Sequence, residues 1–278
     1  MLEIISCSRR TDIPAFYYDW IQECLKNKVA TVKNPYNQSD YRVDLSPEKV
    51  HSICLWSKNF ARVIENSGYL SCYPLYFQFT VTGYSKVLER NVVETTEAVR
   101  QMEQLAKVYS PQQVNWRFDP IMICAEGELK SMQDYADDAR LRMFKALCRD
   151  LSSFGINRCT ISFLYLYRKV VQRLSRAKIN YILPSDQQQQ EMVCRMVEIA
   201  DKYGITLYSC CSPVVERVPG MKQSHCIDGP YLEQLFGKKA SRAKDTGQRE
   251  GCGCTRSRDI GSYDIQACRH GCLYCYGT

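Results

Sequence analysis

Apolar positions along the chain recur at two different spacings. Short runs rich in β-branched and aromatic residues occupy 3–8 (EIISCS), 29–34 (VATVKN), 51–57 (HSICLWS), 75–82 (LYFQFTVT), 114–120 (VNWRFDP), 159–165 (CTISFLY) and 205–210 (ITLYSC), and they read as strands. Longer stretches with helical spacing separate several of them, most clearly 91–109, 131–155, which runs to Gly155, and 185–204, where Ser185 stands as an N-cap. Such alternation predicts an α/β fold built on a parallel sheet, and six or seven units suit a partial or closed (β/α) barrel over residues 1–210. From 211 the texture changes. Glycine, proline and charge become frequent, YLEQLFG is the single short helix candidate, and seven of the sixteen cysteines fall in 211–278. This stretch has no apolar periodicity for a core of its own. It is expected to be a cysteine-rich tail, held by metal and folded back onto the barrel.

Composition narrows the setting. With 278 residues, 45% hydrophobic and 24% charged, the chain can bury a substantial core. Neither a signal peptide nor a membrane span is expected, so the reading is a cytoplasmic protein without a membrane partner. In a reducing compartment sixteen cysteines point to metal or redox chemistry rather than a disulfide framework. Cys7, Cys54, Cys72, Cys124, Cys148, Cys159 and Cys194 sit singly among apolar neighbours and are expected to be core residues. The net charge of +7 is compatible with an anionic small molecule or a nucleic acid as substrate.

In parallel α/β folds, chemistry collects at the carboxyl ends of the strands. Five predicted strand ends are polar here: SRRTD (8–12), KNP (33–35), WSKN (56–59), TVTGY (80–84) and RFDP (117–120). Together they are expected to line one mouth.

The chain closes with CRHGCLYCYGT, which places Cys268, Cys272 and Cys275 at x3 and x2 spacing. Structural zinc wants four closed ligands, whereas three thiolates this close suit a 4Fe–4S cluster whose fourth iron stays open to another ligand. Cys210, Cys226, Cys252 and Cys254 supply thiolates for a second centre, an auxiliary iron–sulfur cluster or a zinc, with Cys211 able to replace Cys210. His225 and His270 are candidate donors behind these ligands.

The C-x3-C-x-Y-C stretch, with Tyr274 before the last cysteine, resembles the radical S-adenosylmethionine signature. That resemblance implies S-adenosylmethionine bound on the open iron, Tyr274 near its adenine, a deoxyadenosyl radical that abstracts hydrogen from an unknown substrate, and an electron donor such as flavodoxin or ferredoxin. The family carries its motif near the amino terminus, after the first strand. The order here therefore resembles a circular permutation of the TIM-like radical fold, with DIGSYD (259–264) as the displaced first strand and with adjacent termini. On that arrangement Arg9, Arg10 and Asp12 face the cysteine loop and pair with the cofactor. Lys58, Asn59, Thr82, Tyr84, Arg117 and Asp119 then line the remainder of the mouth, toward ribose or substrate. Arg10, Asp12, Lys58, Tyr84, Arg117 and Asp119 are the candidate catalytic groups; Arg9, Arg10, Asp12, Lys58, Asn59, Thr82 and Tyr274 are the candidate cofactor contacts. Most of the chain is also similar to the DUF1848 family through SRRTDIPAFYYDW, LWSKNFARVI, FTVTGY, RFDPI, CIDG and CGCTRSRDIGSYDIQACRHGCLYCYG. The family leaves the substrate unnamed.

Two rival readings stand beside this one. QACRHG resembles the caspase string, but His270 stands where glycine belongs and Cys272 and Cys275 are then unexplained. A zinc-stabilised nucleic-acid-binding module would use the tail cysteines as ligands and Arg242, Lys244, Arg249, Arg256 and Arg258 as a phosphate-facing stripe.

Overall fold

A computed structural model describes residues 2–34, 37, 39–126, 139–209, 211–246, 248 and 251–277. Twelve strands are found among them: β1 (Glu3–Cys7), β2 (Val29–Lys33), β3 (Asp40–Asp44), β4 (Val50–Ser57), β5 (Leu75–Thr80), β6 (Val114–Ile121), β7 (Ile123–Glu126), β8 (Arg158–Phe163), β9 (Ile179–Ile182), β10 (Thr206–Ser209), β11 (Lys222–Gln223) and β12 (Arg258–Asp259). Eight form one sheet in the order β11-β10-β8-β6-β5-β4-β1-β12, with every neighbouring pair parallel. From β1 to β11 each new strand joins the same growing edge. That is the winding of a barrel rather than of a sheet that reverses at a switch point. No pairing among the described residues joins β11 to β12, so the sheet has two edges.

The apolar runs form central strands because they are buried on both faces. β4 is buried at seven of its eight positions, as expected where helices and chain cover both sides of a parallel sheet. One face packs Ile5, Leu55, Phe77, Trp116, Phe118 and Ile161 into the main core. Helices α1 (Ile13–Phe16), α2 (Tyr18–Lys26), α3 (Ala61–Glu65), α4 (Thr95–Val108), α5 (Ala139–Ser152), α6 (Arg168–Arg176), α7 (Asp186–Asp201), α8 (Pro213–Glu216) and α9 (Gly229–Phe236) surround the sheet. Trp116 stacks on Phe144 of α5 at 5.3 Å. The expected cap of α7 is a full capping box: Gln188 N donates to Ser185 Oγ, and Ser185 N donates back to Gln188 Oε1 at 2.8 Å. The first part of the stretch expected at 131–155 lies outside the described residues.

The opposite face alternates with the first and is polar. Ser6, Ser52, Gln78, Asn115, Arg117 and Thr160 are buried there. Asn115 Nδ2 donates to Gln78 Oε1 at 2.7 Å and to Thr160 Oγ1 at 3.0 Å. The tail covers this face through a smaller cluster in which Ile4, Cys54 and Tyr76 meet Ile227, Leu232, Ala240, Cys252 and Cys254. A boundary at 210/211 therefore runs through one sheet, because the tail supplies both edge strands, β11 and β12. Two of the other expectations are corrected. The strand over 29–34 leaves the parallel sheet and pairs antiparallel with β3 as a hairpin, which takes Lys33 and Asn34 away from the shared strand ends; Pro35 lies outside the described residues. Of the cysteines expected in the core, Cys7, Cys54, Cys148 and Cys159 are buried, but Cys72 and Cys194 are exposed. Among the described residues no helix is long and apolar enough to cross a membrane.

Candidate functional site

β12 lies parallel to β1, with Ile5 opposite Arg258 and Ser6 opposite Asp259. Asp259 makes the joint. Its carboxylate accepts from Ser6 Oγ and Ser8 Oγ at 2.7 Å, from Arg9 N at 2.8 Å and from Gly261 N at 3.0 Å. The loop after β12 is thereby delivered to the carboxyl edge of the sheet, where the cysteines sit.

The cysteine loop docks on two strand ends and one helix. His270 Nε2 donates to Asp12 Oδ2 at 2.7 Å after β1. After β5, Glu89 bridges Cys272, Leu273 N donates to the Leu88 carbonyl at 2.9 Å, and Asn91 N donates to the His270 carbonyl at 2.9 Å. From α6, the Arg173 guanidinium donates to the Cys275 carbonyl. Beneath the loop, Cys272 and Tyr274 pack with Leu88, Val92, Met122, Val170 and Leu174.

The three thiols are close enough to feel each other's charge. Burial pushes Cys268 up to about 11, against main-chain donors from His270 and Asp12. Burial likewise raises Cys272 to about 12, opposed by the Lys58 ammonium. Gly277 N donates to Cys275 Sγ at 3.3 Å. This donor set fits an iron–sulfur cluster: three thiols on one short loop, amides directed at two sulfurs, and a lysine beside the third. Among the described residues no three His, Cys, Asp or Glu side chains gather around one metal ion. A cube places each thiolate on a separate iron, so its ligands need no such convergence.

Beside the cup lies a buried charge centre. Glu89 accepts from Lys58 Nζ at 2.9 Å, from Thr82 Oγ1 at 2.6 Å and from Tyr274 Oη. Burial alone would raise the Glu89 carboxyl, but Lys58 and the hydroxyl donors outweigh it and hold it below its ordinary value. For Lys58, desolvation is likewise outweighed by Glu89 and Cys272, and its ammonium is raised. Lys58, Thr82 and Tyr274 are therefore brought together around Glu89. Tyr84 joins them, its ring 5.7 Å from that of Tyr274, while its hydroxyl accepts from Met122 N at 2.7 Å. Glu89 is the member that no sequence signal disclosed.

The other expected residues have protein partners of their own. Asp12 caps α1 by accepting from Ala15 N at 3.0 Å, and its second oxygen takes Ser57 Oγ, Lys58 N and His270. Its carboxylate is engaged by protein donors on both oxygens. Arg9 turns to the tail, bonding Asp245 Oδ2 at 2.8 Å and Ser257 Oγ at 3.3 Å. Arg10 donates to the Gly261 carbonyl at 3.0 Å. Asn59 faces α4, where Oδ1 accepts from Gln101 Nε2 at 3.0 Å. Arg117 and Asp119 pair with each other on the polar face; Arg117 also lies over the Trp56 ring at 5.3 Å and 3.6 Å from Cys226 Sγ.

For the second cysteine set, Cys252 and Cys254 are buried in the smaller cluster and Cys211 and Cys226 pack against it; Cys210 lies outside the described residues, and among the described residues no three of these thiols converge as a zinc ion requires. His225 packs on Gly253, between Cys252 and Cys254, where a side chain would collide with the imidazole. Within the proposed basic stripe, Arg242 pairs with Glu233 and Arg258 with Glu3, both at 3.2 Å, which engages part of its charge. Arg249 lies outside the described residues.

The molecule is thus a parallel α/β protein with a cysteine loop seated at the carboxyl edge of its sheet. Over residues 4–277 it matches the family described as Domain of unknown function (DUF1848), and the chain belongs to that family. Comparisons with curated proteins and with solved structures gave no match.

Proposed function

We propose that the chain is a radical S-adenosylmethionine enzyme, with Cys268, Cys272 and Cys275 as ligands of a 4Fe–4S cluster that leaves one iron for the cofactor. The observation that carries this reading is the seating of the cysteine loop at the carboxyl edge of a barrel-wound parallel sheet, beside Lys58, Glu89 and Tyr274. When bound, the cluster and cofactor supply reductive cleavage of a sulfonium and hydrogen abstraction from substrate. The chain's own groups bind and orient. Amides near Cys268 and Cys275 and the Lys58 charge stabilise thiolates, Tyr274 offers a ring beside the cup, and Glu89 fixes the Tyr274 hydroxyl. Arg10, which donates to the Gly261 carbonyl, and the Arg117–Asp119 pair are the groups assigned in this reading to the cofactor carboxylate and the substrate, and Asp12 acts as a positioning residue through His270. β12 beside β1 is the strand position a circular permutation of the TIM-like fold requires.

The same proposal gives the tail a second centre, an iron–sulfur cluster or a zinc, on Cys226, Cys252, Cys254 and either Cys210 or Cys211. It also includes a cytoplasmic setting and an electron donor such as flavodoxin or ferredoxin. The test is reconstitution with iron and sulfide without oxygen, followed by cofactor cleavage under a strong reductant. Alanine at Cys268, Cys272 and Cys275 together should abolish cleavage and remove about four irons per chain. Cleavage that survives the triple change would sink the assignment.

A further inference from the structure

Beside the cysteine cup, three tyrosine rings stand in the open. Tyr165 and Tyr167, on the loop that leaves β8 at the carboxyl edge, have ring centroids 4.7 Å apart, and Tyr167 is 5.5 Å from Tyr276, the residue after Cys275. All three are exposed, at 64%, 41% and 51%. Apolar rings left in water at the mouth of a site are a cost with no folding return, since Tyr165 and Tyr276 bury little in any core. Tyr167 also begins α6 without giving it a side-chain cap, so capping does not explain that ring.

The segment that carries Tyr165 and Tyr167 is charged with one sign. Residues 159–185 contain five basic and no acidic side chains. Of these, Arg168, Lys169 and Arg176 are exposed on α6, whose Val170 and Leu174 pack beneath the cysteine loop. Contiguous aromatic faces flanked by unopposed positive charge are what a strand of unpaired nucleotides requires. Bases stack on the rings whatever their identity, and phosphates meet the arginines and lysine. An acidic protein would satisfy the charge but would leave the rings without a matching face.

We propose that Tyr165, Tyr167 and Tyr276, with Arg168, Lys169 and Arg176, form a platform for single-stranded nucleic acid, and that the substrate is a nucleotide within such a strand. The second half of this statement rests on the function proposed above; the first does not. The ladder leads from the solvent to Cys275, so a strand lying along it presents a base at the rim of the cup.

The experiment uses the full chain, reconstituted without oxygen, and fluorescence anisotropy with a labelled oligonucleotide as single-stranded DNA, as single-stranded RNA and as duplex, with polyglutamate as competitor. Single strands should bind more tightly than duplex, polyglutamate should compete poorly, and binding should weaken as salt is raised. Tyr165→Ala with Tyr167→Ala should weaken binding at least about fivefold, the low end of base–aromatic stacking, while the double Phe variant retains it. Tighter duplex binding, effective competition by polyglutamate, no binding at all, or indifference to loss of both rings would overturn the platform. Polyglutamate competition would instead mark an acidic protein's docking face. Iron content and cofactor cleavage are read on the same samples. Lost oligonucleotide binding with intact cleavage defeats this inference alone, and retained binding without an iron cluster defeats the enzymatic reading alone. The DNA and RNA arms then say which polymer is held.

Discussion

Asp12 and His270 lie 258 positions apart in the chain and meet in the interior, with His270 Nε2 2.7 Å from Asp12 Oδ2. A carboxylate only accepts, so the proton of this contact is on the histidine nitrogen. One residue thus ties the first helix, the end of β4 and the cysteine loop together. Removing its carboxylate as Asp12→Ala takes away the α1 cap and leaves Ser57, the Lys58 amide and His270 without their acceptor. A loss of roughly 2–4 kcal/mol is expected from the cap and the buried donors, measured by urea unfolding. Asp12→Asn keeps an acceptor oxygen and should lose less. If Asp12→Ala unfolds at the wild-type midpoint, the residue is not the hub described.

Glu89 gives a prediction about pH. Its carboxyl is held below the ordinary value of 4.5 in the folded chain, so the folded state holds its proton more weakly than the unfolded chain does. The stability this supplies is complete above the unfolded value and is lost as pH falls through the lowered one. Glu89→Gln should therefore flatten the acid limb of the stability profile. At neutral pH it should cost roughly 3–5 kcal/mol, because Lys58 is left buried without its partner. Stability profiles of the two proteins that run parallel below pH 4.5 would contradict this.

Gly261 tests the joint between the tail and β1. A Cβ there would fall within contact distance of the Ser8 side chain and press on Thr11. Both belong to the buried turn after β1 and have nowhere to retreat. Gly261→Ala is expected to cost about 1–3 kcal/mol through overpacking, while Gly237→Ala, with open space around it but φ of +66°, carries only backbone strain. Chemical denaturation of both variants separates the two effects.

Much of this architecture could be read from the pattern of apolar residues, and the reason is burial. Strands such as β4 (VHSICLWS) and β6 (VNWRFDPI) turn apolar and aromatic residues toward the main core, and that spacing is readable even though His51, Ser52, Asn115 and Arg117 interrupt it. β3, with the sequence DYRVD, is exposed on one side and charged, and β11 and β12 are two residues long; none has enough pattern to announce itself, and the resemblance that pointed to a strand at 259–264 overlaps β12, which is Arg258–Asp259, only at Asp259. The cysteine loop was legible because its three cysteines are local in sequence. Glu89 was not, because its role exists only once the turn after β5 meets a loop more than 180 residues away. Arg9 and Asp12 were visible as polar strand-end residues, but sequence says nothing of the partners that claim them. Asp245 and Asp259 draw Arg9 to the tail, and a helix cap claims Asp12.

The tail carries the last prediction. Its apolar contribution is divided among three places, Ile227, Leu232 and Ala240 with two cysteines in the smaller cluster, Val215, Val218 and Ile260 in the main core, and Cys272 and Tyr274 beneath the cysteine loop, and it crosses the polar face of the sheet to supply the edge strand that delivers the cup. A metal bound by Cys226, Cys252 and Cys254 would supply the missing folding energy, because ligation exists only in the folded tail. Cys252→Ala together with Cys254→Ala should then lower metal content beyond the cup's share. For two iron–sulfur clusters the full chain should hold about eight irons, falling to about four; for a zinc, iron should stay at about four while zinc is lost. Limited proteolysis should show faster cleavage between α9 and β12 in the variant, and cofactor cleavage should fall because β12 no longer holds the cup on β1. Unchanged iron and zinc in the double variant would show that these thiols are packing residues of the smaller cluster and that Ile227, Leu232 and the Asp259 joint hold the tail without metal.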